Sequence, residues 1–426
     1  MLDNTNLFLI INFVYGAGHS LITPLFPTLA QKYNLSESVL GWIMGIFPLT
    51  VSIFTAIIPI LCKKISRIYL LQFSAFIEAI ITILYGFLIF IPNKTLLMII
   101  IFPLRIINGC CSAVISTLVY SLTISLAEKE KTQNDLSKLE IAWALGSSSG
   151  LLISSVFYKI GGYPLPFFVT GIFIFISSYL SLRINDKSIK KDNDENNDKN
   201  DNNNNYLKYL LNPEVYLILI GFIVSLICVG FYSPSLTNHL NNNYSISVSI
   251  SSLIFLAPTI PYIILLHYLD KITSKFGNYI TFTFGVFALS ISSFMIYPVP
   301  PIPQFLIFII IGFLISGIGC VPVFTPGLVM LSNNIKKVDK SIDEMSANDI
   351  ASVLNNLVGA LGDFIGPILG GYITEKFGFK FCCFIVSVFG LIYTGIFILM
   401  FYSKIKNDLS NIIQYKKLES DEEHGE

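Results

Sequence analysis

Charge is what this sequence most lacks. Asp, Glu, Lys and Arg make up 13% of its 426 residues, whereas soluble domains carry about 25%, so the chain has too little polar surface to fold as a globule in water. Its 27 basic and 27 acidic residues cancel, and without a basic surplus a nucleic-acid partner is excluded. There is no phosphate-cradling glycine loop, no Gly-x-Gly-x-x-Gly after a strand, no metal-ligand spacing and no nucleophile constellation. No cofactor and no metal are therefore expected, and the chain does not read as an enzyme. Without a nucleotide site, any uphill work must draw on an ion gradient or on a solute's own gradient. A cleavable signal peptide is also missing: the first apolar run simply continues, as a signal anchor does. The seven cysteines (62, 110, 111, 228, 320, 382 and 383) sit in or beside apolar segments, which predicts no disulfides.

Apolar length is what the chain has instead. Hydrophobic residues make up 53%, and the mean hydropathy is +0.69. A helix needs about 20 apolar residues to cross a bilayer. Twelve stretches qualify, at about 7–30, 39–62, 68–91, 95–126, 137–160, 164–184, 213–234, 248–268, 278–297, 302–332, 350–373 and 377–402. They predict an all-α membrane protein with the lipid bilayer as its solvent. The long polar insert, 185–212, contains DNDENNDKNDNNNN, with eight Asn and five acids in fourteen residues. Such a composition cannot build a core and reads as a disordered linker. The expected organisation is thus a six-helix bundle over 1–184, the linker over 185–212, a second six-helix bundle over 213–403 and a tail over 404–426.

Orientation follows from the lysines and arginines. With both termini in the cytosol, the inner loops and tail hold 21 of the 27, five lie at the outer side, and Arg105 remains inside a span. The three Asn-x-Ser/Thr sequons, at Asn34, Asn93 and Asn243, are all expected in outer loops, where glycosylation occurs.

An internal repeat links the halves. Gly146, Gly150, Ser154 and Gly162 recur as Gly362, Gly366, Gly370 and Gly378, each 216 residues on, and Phe168 pairs with Phe384 at the same offset. Four-residue spacing aligns the small residues on one helix face, where a neighbouring backbone can approach closely. Two duplicated, pseudo-symmetric halves are implied, with a moving surface between helices expected to pack at these faces.

Ionisable groups inside a membrane are expensive unless they face a partner or water, so each is a candidate. Arg105 lies deep in the fourth span. It either holds charge in a cavity and biases a nearby carboxylate, or is pinned to a neighbour's backbone carbonyls. Glu140 opens the fifth span, near the fourth, as a proton or cation site. Alternatively, Ser137-Lys-Leu-Glu140 is a capping box. Asp363 shares a helix side with Gly359, Gly366 and Gly370, which points it at a neighbour or a cavity rather than lipid. His19 continues a stripe of Asn12, Gly16 and Thr23, spaced 4, 3 and 4; this reads as a water-lining face carrying a near-neutral titrating group or as a structural histidine. Asn108 and Trp143 are placed to hydrogen-bond or stack on a cation. Glu78, in the third span, ranks below these.

Several stretches carry a family resemblance. They are GHSLITPLFP (Gly18–Pro27), Arg105 with Gly109, LEIAWALGSSSGLLISSVFYKIGGYPLPF (Leu139–Phe167), LDK (Leu269–Lys271) and GDFIGPILGGYITEKFGF (Gly362–Phe379). With them the chain resembles the major facilitator superfamily and, within it, the vesicular amine transporters of the polyamine branch. The resemblance implies proton coupling through Arg105 and an antiporter motif at Gly366, Pro367, Gly370 and Gly371. It also implies a gating loop at Asp270 and Gly277, and a third helix that faces outward. The chain departs from the family pattern in three places. The fifth span has Leu151, Ser154 and Ser155 where the motif is usually strongest. The loop after the second span has Pro59 and Lys63-Lys64 in place of Gly-x-x-x-Asp-Arg. No acid stands in the first span, which argues against a monoamine substrate.

The expected function is secondary active transport of an organic cation, a polyamine first, by proton antiport. Its partners are then a small cationic substrate, protons and lipid, with a monomer as the working unit. A uniporter or symporter of another small solute is the alternative, and a receptor or scaffold the alternative of another class. Tyr415–Leu418 resembles a tyrosine-based sorting signal, which favours a vesicular or endolysosomal membrane.

Overall fold

The computed structural model describes residues 4–126, 132–184, 206–297, 304–342 and 344–410. Among these residues the secondary structure is helical, with no strand. The first half contains α1 (Asn4–Ser20), α2 (Ile22–Lys32), α3 (Glu37–Cys62), α4 (Arg67–Phe87), α5 (Lys94–Leu126), α6 (Thr132–Gly161) and α7 (Pro164–Ser181). The second contains α8 (Tyr206–Leu210), α9 (Pro213–Gly230), α10 (Leu236–Tyr244), α11 (Val248–Leu256), α12 (Thr259–Phe276), α13 (Asn278–Ile296), α14 (Leu306–Val338), α15 (Glu344–Phe377) and α16 (Phe379–Met400). Twelve described spans are long and apolar enough to cross a membrane, six in each half.

Proline accounts for the breaks. Each proline removes the N–H that would bond the carbonyl four residues back and crowds that carbonyl. Pro24 acts on Ser20, where α1 ends, and Pro234 acts on Gly230, where α9 ends. Pro261 acts on Ala257, in the gap between α11 and α12. The expected seventh span therefore stops at Gly230 and is followed by a short helix, α10. At the start of α9, Pro213 takes the first turn, and the Asn212 side chain accepts from the N–H groups of Glu214 (2.9 Å) and Val215 (3.3 Å).

Two compact units emerge. The first comprises residues 1–203 and 233–256; the second comprises 204–232 and 257–426. Residues 233–256, expected with the second bundle, pack on the first unit: α10 and α11 lie on α2, and α11 lies on α6. Ser235 (2.9 Å) and Asn238 (3.0 Å) donate to the Glu37 carboxylate, and the Ser154 and Ser252 hydroxyls meet at 3.0 Å. Within the first unit α1 packs on α6, α3 on α5 and α4 on α7; within the second, α9 packs on α15, α12 on α14 and α13 on α16. The same three pairings thus recur in each unit.

The repeated glycines make these pairings possible. A Cβ on Gly146 would collide with the Phe13 backbone, and one on Gly150 with the Ala17 carbonyl, both on α1. In the second unit, Gly362 meets Ile223 and Leu226, Gly366 meets Ile227 and Gly230, and Gly370 meets the carbonyl of Phe231. Both glycine faces therefore pack inside one unit, on α1 and on the α9 segment, and not at the moving surface expected of them. The last pair, Gly162 and Gly378, has φ of +68° and +86°, a turn geometry that glycine adopts without strain.

The Asn-rich sequence to 205 and the Tyr415–Leu418 pattern lie outside the described residues. The end of the expected linker is ordered. Tyr209 of α8 is buried, and Lys208 pairs with Asp339 at 2.8 Å. Hydrogen bonds from Lys208 and Ser341 hold the Asp339 carboxyl down at about 2. Beyond the last span, residues 402–410 are helical. There Asp408 accepts from the N–H groups of Tyr279 (3.1 Å) and Ile280 (3.4 Å) at the start of α13, while Lys404 pairs with Glu214.

Gly146→Leu and Gly370→Leu should each destabilise the protein by about 1–3 kcal/mol through overpacking. Gly395→Leu, at a position with nothing within 4 Å of a new Cβ, should be neutral. Thermal unfolding of the detergent-solubilised variants checks all three.

Candidate functional site

The polar groups of the first unit fall into a sealed set and an open set. The sealed set begins on α5. Gly109 lets α5 close on α3, since a Cβ there would stand 2.7 Å from Thr50 Cβ and 3.0 Å from the Phe47 carbonyl. One turn back, Arg105 reaches the α3 backbone: Nε donates to the Ile43 carbonyl at 2.9 Å and Nη2 to the Met44 carbonyl at 3.2 Å. Met44 is four residues before Pro48, so proline has left that carbonyl without its helical donor. The arginine supplies the missing bond. Its guanidinium also lies over the rings of Phe47 (4.6 Å) and Phe26 (5.6 Å).

The third arm of Arg105 leads to a carboxylate. Nη1 donates to Asn108 Oδ1 at 3.1 Å, and Asn108 Nδ2 donates to Glu78 Oε1 at 2.6 Å. Arg105 and Asn108 are each 3% exposed and Glu78 4%, so the whole relay is closed to solvent. This corrects two expectations. Asn108 is buried within the relay, its Oδ1 bonded to Arg105 and its Nδ2 to Glu78, and is not open to cargo. Arg105 does not stand in open water; it has the backbone anchorage weighed as its alternative, and a carboxylate relay as well. Glu78, expected on an outward-facing helix, is instead buried at the end of this relay. The expectation of an outward-facing helix concealed it, although an acid at the middle of an apolar span was itself the signal.

The open set lies on α1 and α6. His19 is exposed, with its ring centroid 5.4 Å from Phe47 and 6.2 Å from Trp143. Phe47 therefore touches both the sealed arginine and the open histidine. Glu140 is exposed, and Tyr120 of α5 donates to its Oε1 at 2.9 Å, which places it beside the fourth span as expected. The capping-box alternative fails, because α6 begins at Thr132, well before Ser137. The His19 stripe is not uniformly wet. Asn12 is buried and donates to the Leu139 carbonyl at 2.8 Å, and Gly16 lies against the Trp143 backbone.

In the second unit Asp363 is exposed on α15 and has no hydrogen-bond or ion-pair partner among the described residues. Between residues 356 and 375 the exposed large apolar side chains of that helix are Leu357, Leu361, Leu369 and Tyr372. At about 100° per residue they fall on the opposite side from Asp363. Asp363 thus flanks the buried glycines and faces away from the apolar arc. On α6, Glu140 and Trp143 likewise lie opposite Ile141, Leu145, Val156 and Ile160. At the 216-residue offset, Asn356 corresponds to Glu140 and Asp363 to Ser147, so the repeat carries one open acid per unit on matching helix sides.

Pro367 and Gly371 are buried in α15, with Pro367 Cδ 3.4 Å from a Cβ placed on Gly230. Asp270 is exposed. Gly277 has φ of +79°, and a Cβ there would strike the Asp408 carboxylate. Asn34, Asn93 and Asn243 are all exposed. Asn93 accepts from the Leu96 N–H at 2.8 Å, and Asn243 sits in α10 rather than in a loop.

A family model for the Major Facilitator Superfamily matches residues 8–362 and 218–417. The human MFS-type transporter SLC18B1 is 24% identical over 411 residues, covering 93% of this chain and 86% of that protein. The crystal structure of the nucleoside transporter NupG superposes with a TM-score of 0.77 at 12% identity, covering 94% of this chain and 99% of that one. A bacterial homologue of the human lysosomal transporter Spinster, inward-facing and occupied, gives 0.71 at 12% identity, over 93% and 95%. At these identities the two structures show the fold alone.

Asn108→Ala removes the amide that joins two buried charged groups, and a loss of about 3 kcal/mol is expected. Asn356→Ala, at an exposed position, should cost little. Thermal unfolding compares the two, and equal stabilities would remove the relay's structural importance.

Proposed function

The chain belongs to the Major Facilitator Superfamily of small-solute transporters, and on that premise we propose that it carries organic cations, polyamines first, in exchange for protons by alternating access. The observation that supports this reading is the division of charge inside the spans. Arg105 is the one arginine or lysine deep in a described span, and it is sealed by carbonyls, Asn108 and aromatic rings. Glu140 and Asp363 are open. A solute entering these helices meets accessible negative charge and aromatic faces, His19 and Trp143 among them. That chemistry favours an ammonium over an anion. A polyamine suits it further, since its methylene segments bury on aromatic faces while an ammonium group seeks a carboxylate.

In this reading both termini are cytosolic, the membrane is that of an acidic vesicle or endolysosome, and the working unit is a monomer. Protons from the lumen displace cargo, so uptake into the lumen is driven by its acidity. The fifth span does not reproduce the antiporter motif of α15. A proton-independent uniporter of another small solute is accordingly the reading that a failed gradient test would leave.

The test is spermidine uptake into proteoliposomes with an acidic interior. Accumulation that collapses on adding a protonophore is expected. Absence of gradient-driven uptake, with the protein shown to be folded, would overturn the polyamine and proton readings together. Glu140→Gln and Asp363→Asn, both at exposed positions, should fold normally and raise the half-saturating spermidine concentration about tenfold each, read from initial rates.

A further inference from the structure

We infer that Glu78 is the group that takes up and releases the coupled proton, and that Arg105 and Phe47 pass its charge state to the cargo site. This rests on the proton-antiport reading above and names the residue that performs it.

The geometry singles out one carboxyl oxygen. Glu78 Oε1 is held by Asn108 Nδ2 at 2.6 Å. Oε2 is buried and has no hydrogen-bond partner among the described residues. A structural carboxylate at 4% exposure would be expected to have both oxygens satisfied, because a buried unpaired acceptor is costly and a charged one more so. An oxygen left bare is one that can accept a proton without first losing a bond. Protonation then converts the carboxylate to a neutral carboxyl at Oε2, while Oε1 keeps its bond to Asn108. In the alternating-access cycle the proton reaches Oε2 from water on the acidic side when the surrounding helices part, and it leaves to water on the other side in the opposite state.

The relay reports that event. With Glu78 ionised, its charge and that of Arg105 compensate through the Asn108 amide. With Glu78 neutral, Arg105 is an uncompensated cation whose other bonds go to the carbonyls of Ile43 and Met44. Its guanidinium lies over Phe47, and Phe47 touches His19, which touches Trp143. One proton at Glu78 thus adds a positive charge behind the aromatic wall that an organic ammonium would occupy, and the ammonium is repelled. The titratable groups in electrostatic reach of Glu78 are Arg105 and Cys111 on α5, Tyr15 on α1 and Tyr85 on α4 itself. The tyrosine of α7, Tyr179, is exposed. Among these, Arg105 is the one with a charge to balance.

The experiment uses the full-length protein in proteoliposomes, with spermidine as probe. Glu78→Gln keeps the Asn108 bond through its own amide oxygen but cannot titrate. Locked in the neutral state that repels the ammonium, it should raise the half-saturating spermidine concentration for counterflow without a pH gradient about tenfold and keep the maximal counterflow rate within about threefold, while acid-driven accumulation falls at least tenfold. The pH dependence of counterflow should flatten as well. Accumulation by Glu78→Gln at the wild-type level overturns the inference. Wild-type protein that ignores the gradient instead defeats the antiport reading on which it rests, so the two failures are distinguishable. If Glu78→Gln loses both activities, Glu78→Asp decides: recovery of acid-driven accumulation with a shifted pH midpoint supports the inference, and no recovery overturns it.

Discussion

The first unit depends on how a guanidinium is kept inside hydrocarbon. An unsatisfied charge there is costly, and Arg105 avoids most of that penalty by finding donors' partners in three directions at once. Two are carbonyls of α3, one of them released from its helix by Pro48; the third is Asn108. The requirement then propagates. Gly109 must lack a side chain so that α5 reaches α3, Phe47 must present its ring, and α4 must bring an acid to the other end of the Asn108 amide. A single buried charge thereby fixes the relative positions of three helices.

The same logic separates the two kinds of polar group within the spans. Sealed groups satisfy one another and carry a charge balance that the protein controls. Open groups are left for something that arrives from outside. Aromatic rings connect the kinds: Phe47 belongs to the sealed set on one face and to the open set on the other. On the antiport proposal, such a division is what would let the gain of one proton change the affinity for a solute without the two sharing a ligand.

Much of this was legible in the sequence, where a single property decided the outcome. Span number follows from apolar length, and the glycine register at 216 residues survives as matched backbone contacts because only glycine permits them. What the sequence hid depends on three-dimensional neighbours. Ser137–Glu140 has the residues of a capping box, yet the helix runs back to Thr132 and absorbs it. Glu78 looked peripheral because its burial is decided by Asn108 and Arg105, which lie about thirty residues further along the chain. Residues 233–256 read as part of the second bundle by order, but their serines and asparagine find partners on α3 and α6. The prolines at 24, 234 and 261 did signal the breaks, since each acts on a known carbonyl; hydropathy, averaged over about 20 residues, simply passes over them.

The contact between Asp408 and the start of α13 bears on where the folded protein ends. The last apolar residue of α16 is Met400, and hydropathy alone would place the boundary of the second unit there. Yet the carboxylate eight residues later occupies the space that Gly277 leaves empty, and it satisfies two N–H groups that α13 cannot satisfy itself. Lys404 reaches α9 in the same way. Any shortened version that stops at the membrane would expose a helix start and strand Glu214, so for this unit the minimal domain must include residues that never enter the bilayer.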